Sequence, residues 1–205
     1  MAIRVLLICG SLQEKSSNRA ALDVVRAKLG GVADVSVEDA IEVGLIPPFN
    51  SDREDVADSS LTEFRAQIAR ASAVVVATPE YAASTPGALK NAFDWIVGSA
   101  GLYGKPVGLI AAGSTGGVYV RQQLIRSLTW QGAHVVAHLG IGTPRTKSDE
   151  QGRFTDAETL AAIEGIALEV VDAVGMSGEE RLALVERITS EAGVEGGHVA
   201  PMQGS

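Results

Sequence analysis

Three stretches of the chain are apolar almost without interruption: Ile3–Cys9 (IRVLLIC), Ala73–Thr78 (AVVVAT) and residues 106–112 (PVGLIAA). A strand without polar alternation is covered on both faces, as strands inside a parallel sheet are. Residues 33–37 and 133–138 are weaker strand candidates. Between these runs the apolar positions take a helical spacing: Leu22, Val25 and Leu29 share one face, and Leu61, Phe64 and Ile68 share another. Ser60 with Glu63, Thr155 with Glu158 and Ser177 with Glu180 have capping-box spacing and predict three helix starts. Strand and helix therefore alternate five times, and one extra helix follows.

That alternation predicts an α/β fold, a parallel sheet with helices on both faces. Ligands of such sheets gather at the carboxyl ends of the strands, near the switch point in strand order. The loops after the three strongest strands, residues 10–18, 79–86 and 113–117, are therefore where a site is expected. Residues 1–192 are expected to form a single domain, and 193–205, rich in Gly and without periodicity, a flexible tail.

Composition narrows the function. A chain of 205 residues with 46% hydrophobic and 20% charged residues has the make-up of one globular domain. Its net charge of -8 would repel nucleic acid and acidic lipid, and no basic patch offsets it. No apolar run approaches membrane-spanning length. The single cysteine, Cys9, cannot form an internal disulfide, and no secretory leader opens the chain, so a cytoplasmic location is expected. Cys9, at the end of an apolar strand, reads as a small buried hydrophobe before a reactive thiol.

The first loop, GSLQEKSSNR, satisfies neither G-x-G-x-x-G nor G-x-x-x-x-G-K-[ST], which removes the two common nucleotide cradles. It leaves a hydroxyl-rich turn, Ser11, Ser16 and Ser17 with Asn18, leading into a helix. Two readings of these hydroxyls stay open: Ser16 or Ser17 caps the helix, or the free N–H groups of the helix end and the hydroxyls hold a phosphate.

The second loop, TPEYAASTPGALKNAFDW (residues 78–95), places Pro79, Glu80 and Tyr81 directly after a buried strand. Here the sequence resembles the NADPH-dependent FMN reductase family, the flavodoxin-like quinone, azo-compound and chromate reductases. The matches are Gly10, Ser11, Leu12, Ser16 and Asn18 in the first loop. In the second they are Pro79, Glu80, Tyr81, Ser84, Pro86, Gly87, Leu89, Lys90, Asn91, Asp94 and Trp95. The glycine-rich GSTGG at 113–117 and SDEQGRFTD at 148–156 are also similar, so the resemblance covers roughly residues 1–155. Gln13 stands where the family has Arg, with Lys15 as a candidate substitute, and Ala82 stands where it has Asn.

The resemblance implies a flavodoxin-like, doubly wound, five-stranded parallel sheet of order 2-1-3-4-5, with an additional C-terminal helix. It implies an FMN phosphate held by Ser11, Ser16, Asn18 and backbone amides of the loop that also carries Gln13 and Ser17. Pro79, Glu80, Tyr81, Ala82 and Ser84 would run along the flavin ring and ribityl chain, and Ser114, Thr115, Gly116 and Gly117 would approach its pyrimidine edge. NADPH or NADH would be the electron donor and a small molecule, such as a quinone, the acceptor. The chemistry would lie at the flavin N5, with no catalytic side chain required. A homodimer or homotetramer is implied as well. A flavodoxin-like electron carrier and an FMN-free interaction domain are the alternatives.

Several side chains carry narrower expectations. Glu80 reads as shaping its loop through hydrogen bonds rather than as a general acid. Leu89, Ala92, Phe93 and Ile96 form an apolar stripe that leaves Trp95 on another side, expected to be exposed as a surface Trp, a subunit contact or a flavin-site wall. Tyr103 and Tyr119 are either aromatic walls beside the loops or packing residues. His134 and His138 read as structural, and His198 falls in the tail. Arg121, Arg126, Arg145, Lys147 and Arg153 lie near expected pocket edges, and spacing singles out none of them.

Overall fold

A computed structural model describes residues 2–53 and 57–194. Five parallel strands, β1 (Ile3–Cys9), β2 (Val35–Asp39), β3 (Ala73–Thr78), β4 (Pro106–Gly113) and β5 (His134–Gly142), form one sheet in the order β2-β1-β3-β4-β5. The expected doubly wound order is thus observed. Among the described residues, six α-helices connect and follow them: α1 (Ser17–Leu29), α2 (Ser59–Arg70), α3 (Gly87–Asp94), α4 (Val118–Trp130), α5 (Ala157–Gly175) and α6 (Gly178–Glu191).

The unbroken apolar strands have the two-sided burial their composition demands. Along β1, Val5 and Leu7 face a layer built from Leu22, Val25 and Leu29 of α1 and Ile163, Ala167 and Val170 of α5. Leu6 and Ile8 face the opposite layer, where Phe64, Leu89, Phe93, Leu124 and Ile188 bring in α2, α3, α4 and α6. Because β1 sits between β2 and β3, the chain leaves it to opposite sides, and the crevice at this switch point opens among the loops after β1, β3 and β4.

Local starts and stops differ from the sequence expectation at β2, at the caps of α2 and α5, and at the end of β5, which runs on to Gly142. β2 runs Val35–Asp39 rather than 33–37, because Asp34 takes a left-handed turn (φ 59°) immediately before it. Asp58, not Ser60, caps α2 by accepting from Leu61 N at 2.9 Å. Asp156, not Thr155, caps α5 by accepting from Thr159 N at 2.9 Å. In both cases a carboxylate upstream offers a stronger acceptor to the helix end than the hydroxyl that fits the box spacing. The third capping box, Ser177 with Glu180, is formed, and the bonds from Ser177 hold the Glu180 carboxyl below its ordinary range.

Trp95 is corrected more substantially: it is 2% exposed. The side of α3 that periodicity leaves bare is covered by the connection between β2 and α2. Trp95 Nε1 donates to Pro47 O at 2.7 Å, Phe49 packs edge-on at 5.0 Å, and the Arg65 guanidinium lies over the indole. Asn91 ties down the same segment, donating to Pro47 O and accepting from Phe49 N. Trp95 is therefore a core residue and neither a subunit contact nor a site wall. Of the expected tail, Gly193 and Val194 are described, and Val194 is buried against the α6 side of the core; residues 195–205, with His198, lie outside the described residues. No helix among the described residues is long and apolar enough to cross a membrane.

Candidate functional site

The three loops and the turn after β5 enclose a cleft of about 540 Å³ at the carboxyl ends of the strands, within the usual size of small-molecule sites. Nine of the expected site residues line it: Ser11, Gln13, Ser16, Ser17, Asn18, Pro79, Glu80, Tyr81 and Ser114. Lys15, Ala112, Gly113, Thr143, Pro144, Arg145 and Thr146 complete the wall. Ala82, Ser84, Thr115, Gly116 and Gly117 do not reach the lining and instead shape the loops behind it.

At one end, Gly10 turns the chain out of β1 where only hydrogen fits: a Cβ there would lie 2.7 Å from Thr78 Oγ1. Ser16 then caps α1, its Oγ accepting from Asn18 N at 3.2 Å. The capping reading is thus correct for Ser16, yet a hydroxyl that accepts one bond still has its own hydrogen to donate. Asn18 is buried, and its amide clasps β4 from both sides, donating to Ala112 O at 3.1 Å and accepting from Ala112 N at 2.9 Å. Lys15 and Arg145 flank Ser16 and Ser17 from opposite loops. Neither has an ion-pair partner among the described residues, and both also border an adjoining cleft of about 470 Å³. Cys9, just beneath, donates weakly to Ser11 O, and burial pushes its thiol up, as suits an inert core thiol.

The second loop is a tight hairpin. Tyr81 and Ser84 exchange backbone hydrogen bonds at 3.1 and 2.9 Å, and the two residues between them, Ala82 (φ 51°) and Ala83 (φ 55°), are both left-handed. That is the pattern of a type I′ turn, which favours Asn-Gly, and each alanine there costs about 1–2 kcal/mol. Gln123 of α4 holds the turn in place: its Oε1 accepts from Ser84 Oγ and Thr85 N at 3.0 Å, and its Nε2 donates to Ala83 O at 3.2 Å. The double substitution Ala82→Asn with Ala83→Gly is expected to raise stability by about 1 kcal/mol and the melting temperature by about 3 °C. Calorimetry showing an unchanged or lower melting temperature would remove the strain from this account.

Glu80 does what its hydrogen-bonding capacity suggests. Its carboxylate accepts from Val120 N at 2.9 Å, capping α4 where Gly117 offers no side chain, and from Thr115 Oγ1 at 3.3 Å. It thereby joins the second loop to the third. The third loop turns through Gly116 (φ 75°) and Gly117 (φ 62°), and a Cβ on Gly117 would sit 2.5 Å from that of Ala111. Thr143, at φ 45°, is the strained residue on the fourth wall, and its N–H donates to Gly113 O at 3.1 Å. Tyr119 is exposed beside the third loop and outside the cleft lining. Tyr103 packs over Gly132 at the other end of the strands, so it is no wall of this site.

The turn at 143–146 escaped the sequence reading because β5 was expected to stop at residue 138. Gly140 and Gly142 are weak strand formers, but pairing with β4 carries the strand on to Gly142. Arg145, expected near a pocket edge but not singled out by spacing, would have been singled out by the rule that sites lie at strand ends had that end been known.

Three hydroxyls, a helix N-terminus and two cations in the lining suit a phosphate; Pro79, Tyr81 and the Ala112–Ser114 stretch of the same lining suit a flat ring. Residues 3–146 match the family model described as NADPH-dependent FMN reductase. An NAD(P)H-dependent FMN reductase of Pseudomonas aeruginosa is 32% identical over 169 residues, covering 79% of this chain and 90% of that protein. A quinone reductase of Escherichia coli is 32% identical over 175 residues, covering 80% and 90% respectively. Among solved structures, a flavoenzyme NAD(P)H:(acceptor) oxidoreductase of Paracoccus denitrificans superposes with a TM-score of 0.70 at 26% identity, over 84% of this chain and 97% of that one. On sequence, sheet order and loop placement together, this chain belongs to the NADPH-dependent FMN reductase family.

Proposed function

We propose that this chain transfers electrons from NAD(P)H to a quinone-type small molecule, using FMN held in the cleft among its first three loops and the turn at 143–146. The observation that carries this reading is the donor set: hydroxyls of Ser11, Ser16 and Ser17, the amino end of α1, and the cations Lys15 and Arg145 all line the cleft. When bound there, FMN supplies the hydride-accepting ring that links the nicotinamide to the second substrate. The chain's own residues bind and orient.

Lys15 and Arg145 offset the phosphate charge that Gln13, lacking a cation, leaves to others; each charge-assisted bond contributes about 1.5–3 kcal/mol. Asn18 acts by position, keeping the first loop against β4. Pro79, Glu80 and Tyr81 wall the ring end, with Ala82 and Ser84 forming the turn that aims them. Gly113 and Ser114 bring backbone groups to the ring edge, and Thr115, Gly116 and Gly117 set the height of that loop. The open mouth, with exposed Tyr81, Val118 and Tyr119, suits a planar acceptor and contact with a second copy of the chain. A homo-oligomer in the cytoplasm completes the proposal, and sedimentation showing only a 21.2 kDa monomer at micromolar concentration would remove the oligomer from it.

The visible absorption spectrum of the purified protein tests the function. Added FMN is expected to show the shifted two-banded spectrum of a bound flavin. Anaerobic NADPH or NADH is expected to bleach it, and a quinone to restore it. A protein that binds no flavin at saturating FMN would defeat the reading.

A further inference from the structure

β5 does not keep strict alternation. Its pairing with β4 slips between Val107 and Gly108, so that Val107 faces Val135 whereas Gly108 faces Ala137. Val136 and Ala137 both enter the α1/α5 side of the core. The bulge thereby turns His138 toward α4, the kind of re-aiming that bulges provide. There His138 meets Arg121, whose Nη1 lies 2.6 Å from His138 Nδ1, while Arg121 Nε donates to Gly116 O at 3.3 Å. A guanidinium has only donors, so Nδ1 must be the lone-pair nitrogen and the imidazole neutral.

We propose that Arg121 and His138 form a proton-sensitive clip that positions the third loop of the cleft: neutral His138 anchors Arg121, Arg121 holds the Gly116 carbonyl, and protonation of His138 releases both. Arg121 and His138 are positioning residues in this scheme; the inference rests on the FMN-binding reading for its consequence, though not for its chemistry. Gly116 N donates to Gly113 O, and Gly113 and Ser114 line the cleft, so the position of Gly116 passes directly to the wall.

The surroundings favour the neutral form. Burial, and then the Arg121 charge, hold His138 below the ordinary histidine value, against an opposing pull from Glu191 at the end of α6. Burial likewise lowers Arg121, opposed by Glu80 from the second loop. Among the described residues, these two carboxylates are the charged groups acting on the pair from the neighbouring elements. A proton on His138 would replace the acceptor with a second cation at hydrogen-bond distance. The third loop would then keep the Glu80 bonds to Thr115 and Val120 and the bonds that Gly113 O accepts from Gly116 N and Thr143 N, but lose its tie from the Gly116 carbonyl to α4.

The sign follows from the lowered value. The clip contributes fully above the unfolded histidine pKa of about 6.5 and is lost as pH falls from there through the lower folded value. FMN affinity, read by quenching of flavin fluorescence, is expected to weaken about tenfold more in the wild type than in His138→Gln between about pH 7.5 and 5.5. Glutamine keeps a neutral acceptor that cannot titrate. Ionisation of the FMN phosphate affects both proteins alike, so the difference isolates His138. Equal pH dependence in the two proteins would overturn the clip. If neither binds FMN at any pH, the proposed function fails instead, and the clip is judged from flavin-free thermal unfolding. Greater loss of melting temperature in the wild type over the same pH range supports it, and equal loss overturns it.

Discussion

Replacing Asn18 with leucine is expected to lower the unfolding free energy by about 3 kcal/mol and the melting temperature by roughly 6–12 °C. The volumes are similar, so packing is not the cause. Asn18 is 3% exposed, and its amide is the partner of both the N–H and the C=O of Ala112. Leucine leaves two backbone groups buried at the end of β4 with nothing to bond, at about 1–3 kcal/mol each. Asn18→Asp keeps an acceptor for Ala112 N but offers no donor to Ala112 O, so its loss is expected to be intermediate at neutral pH. Urea unfolding followed by circular dichroism orders the three proteins. A leucine variant as stable as the wild type would mean that water replaces the clasp. FMN affinity should fall about tenfold or more, because this clasp fixes the first loop to β4.

The fold was legible because three strands are apolar on both faces, which in a chain of this length leaves few alternatives to a doubly wound sheet. The first and second loops were legible because their residues are chemically unusual: a hydroxyl cluster after a buried strand, and Pro-Glu-Tyr before a turn. Trp95 was misjudged because helical periodicity sees only the helix. The segment that covers it, with Pro47 and Phe49, has no periodicity of its own and is held by side-chain hydrogen bonds from Asn91 and Trp95. Arg145 was legible only as one of five cations near the expected pocket edges, and Gln123 was missed, for a related reason: each acts across a long sequence separation from an otherwise ordinary position. The role of Asn18 was half legible. Its type and place marked it as important, but whether its amide faced a ligand or the backbone of β4 depended on a contact 94 positions away.

Gly140→Ala is expected to weaken FMN binding by about 10- to 100-fold and to cost about 1–3 kcal/mol of stability. A Cβ at Gly140 would stand 2.4 Å from Gly116 O and 3.0 Å from Arg121 Nη2. The first neighbour is backbone and cannot rotate away, so either β5 or the third loop has to move. β5 is paired along its length with β4, whereas the loop is held by a few hydrogen bonds, so the loop yields and carries Gly113 and Ser114 with it. Gly142→Ala is the control. It lies two residues along the same strand, gains the same strand propensity, and its Cβ would meet nothing closer than 3.9 Å. It should stay within about 0.5 kcal/mol of the wild type and bind FMN equally well. Titrating both variants with FMN, alongside urea unfolding, separates a clash from a general effect of filling glycines in β5. If the two alanines behaved alike, the close approach of β5 to Gly116 would not be what sets the third loop. If only Gly140→Ala fails, the missing side chain at 140 is part of the binding site although it touches no ligand.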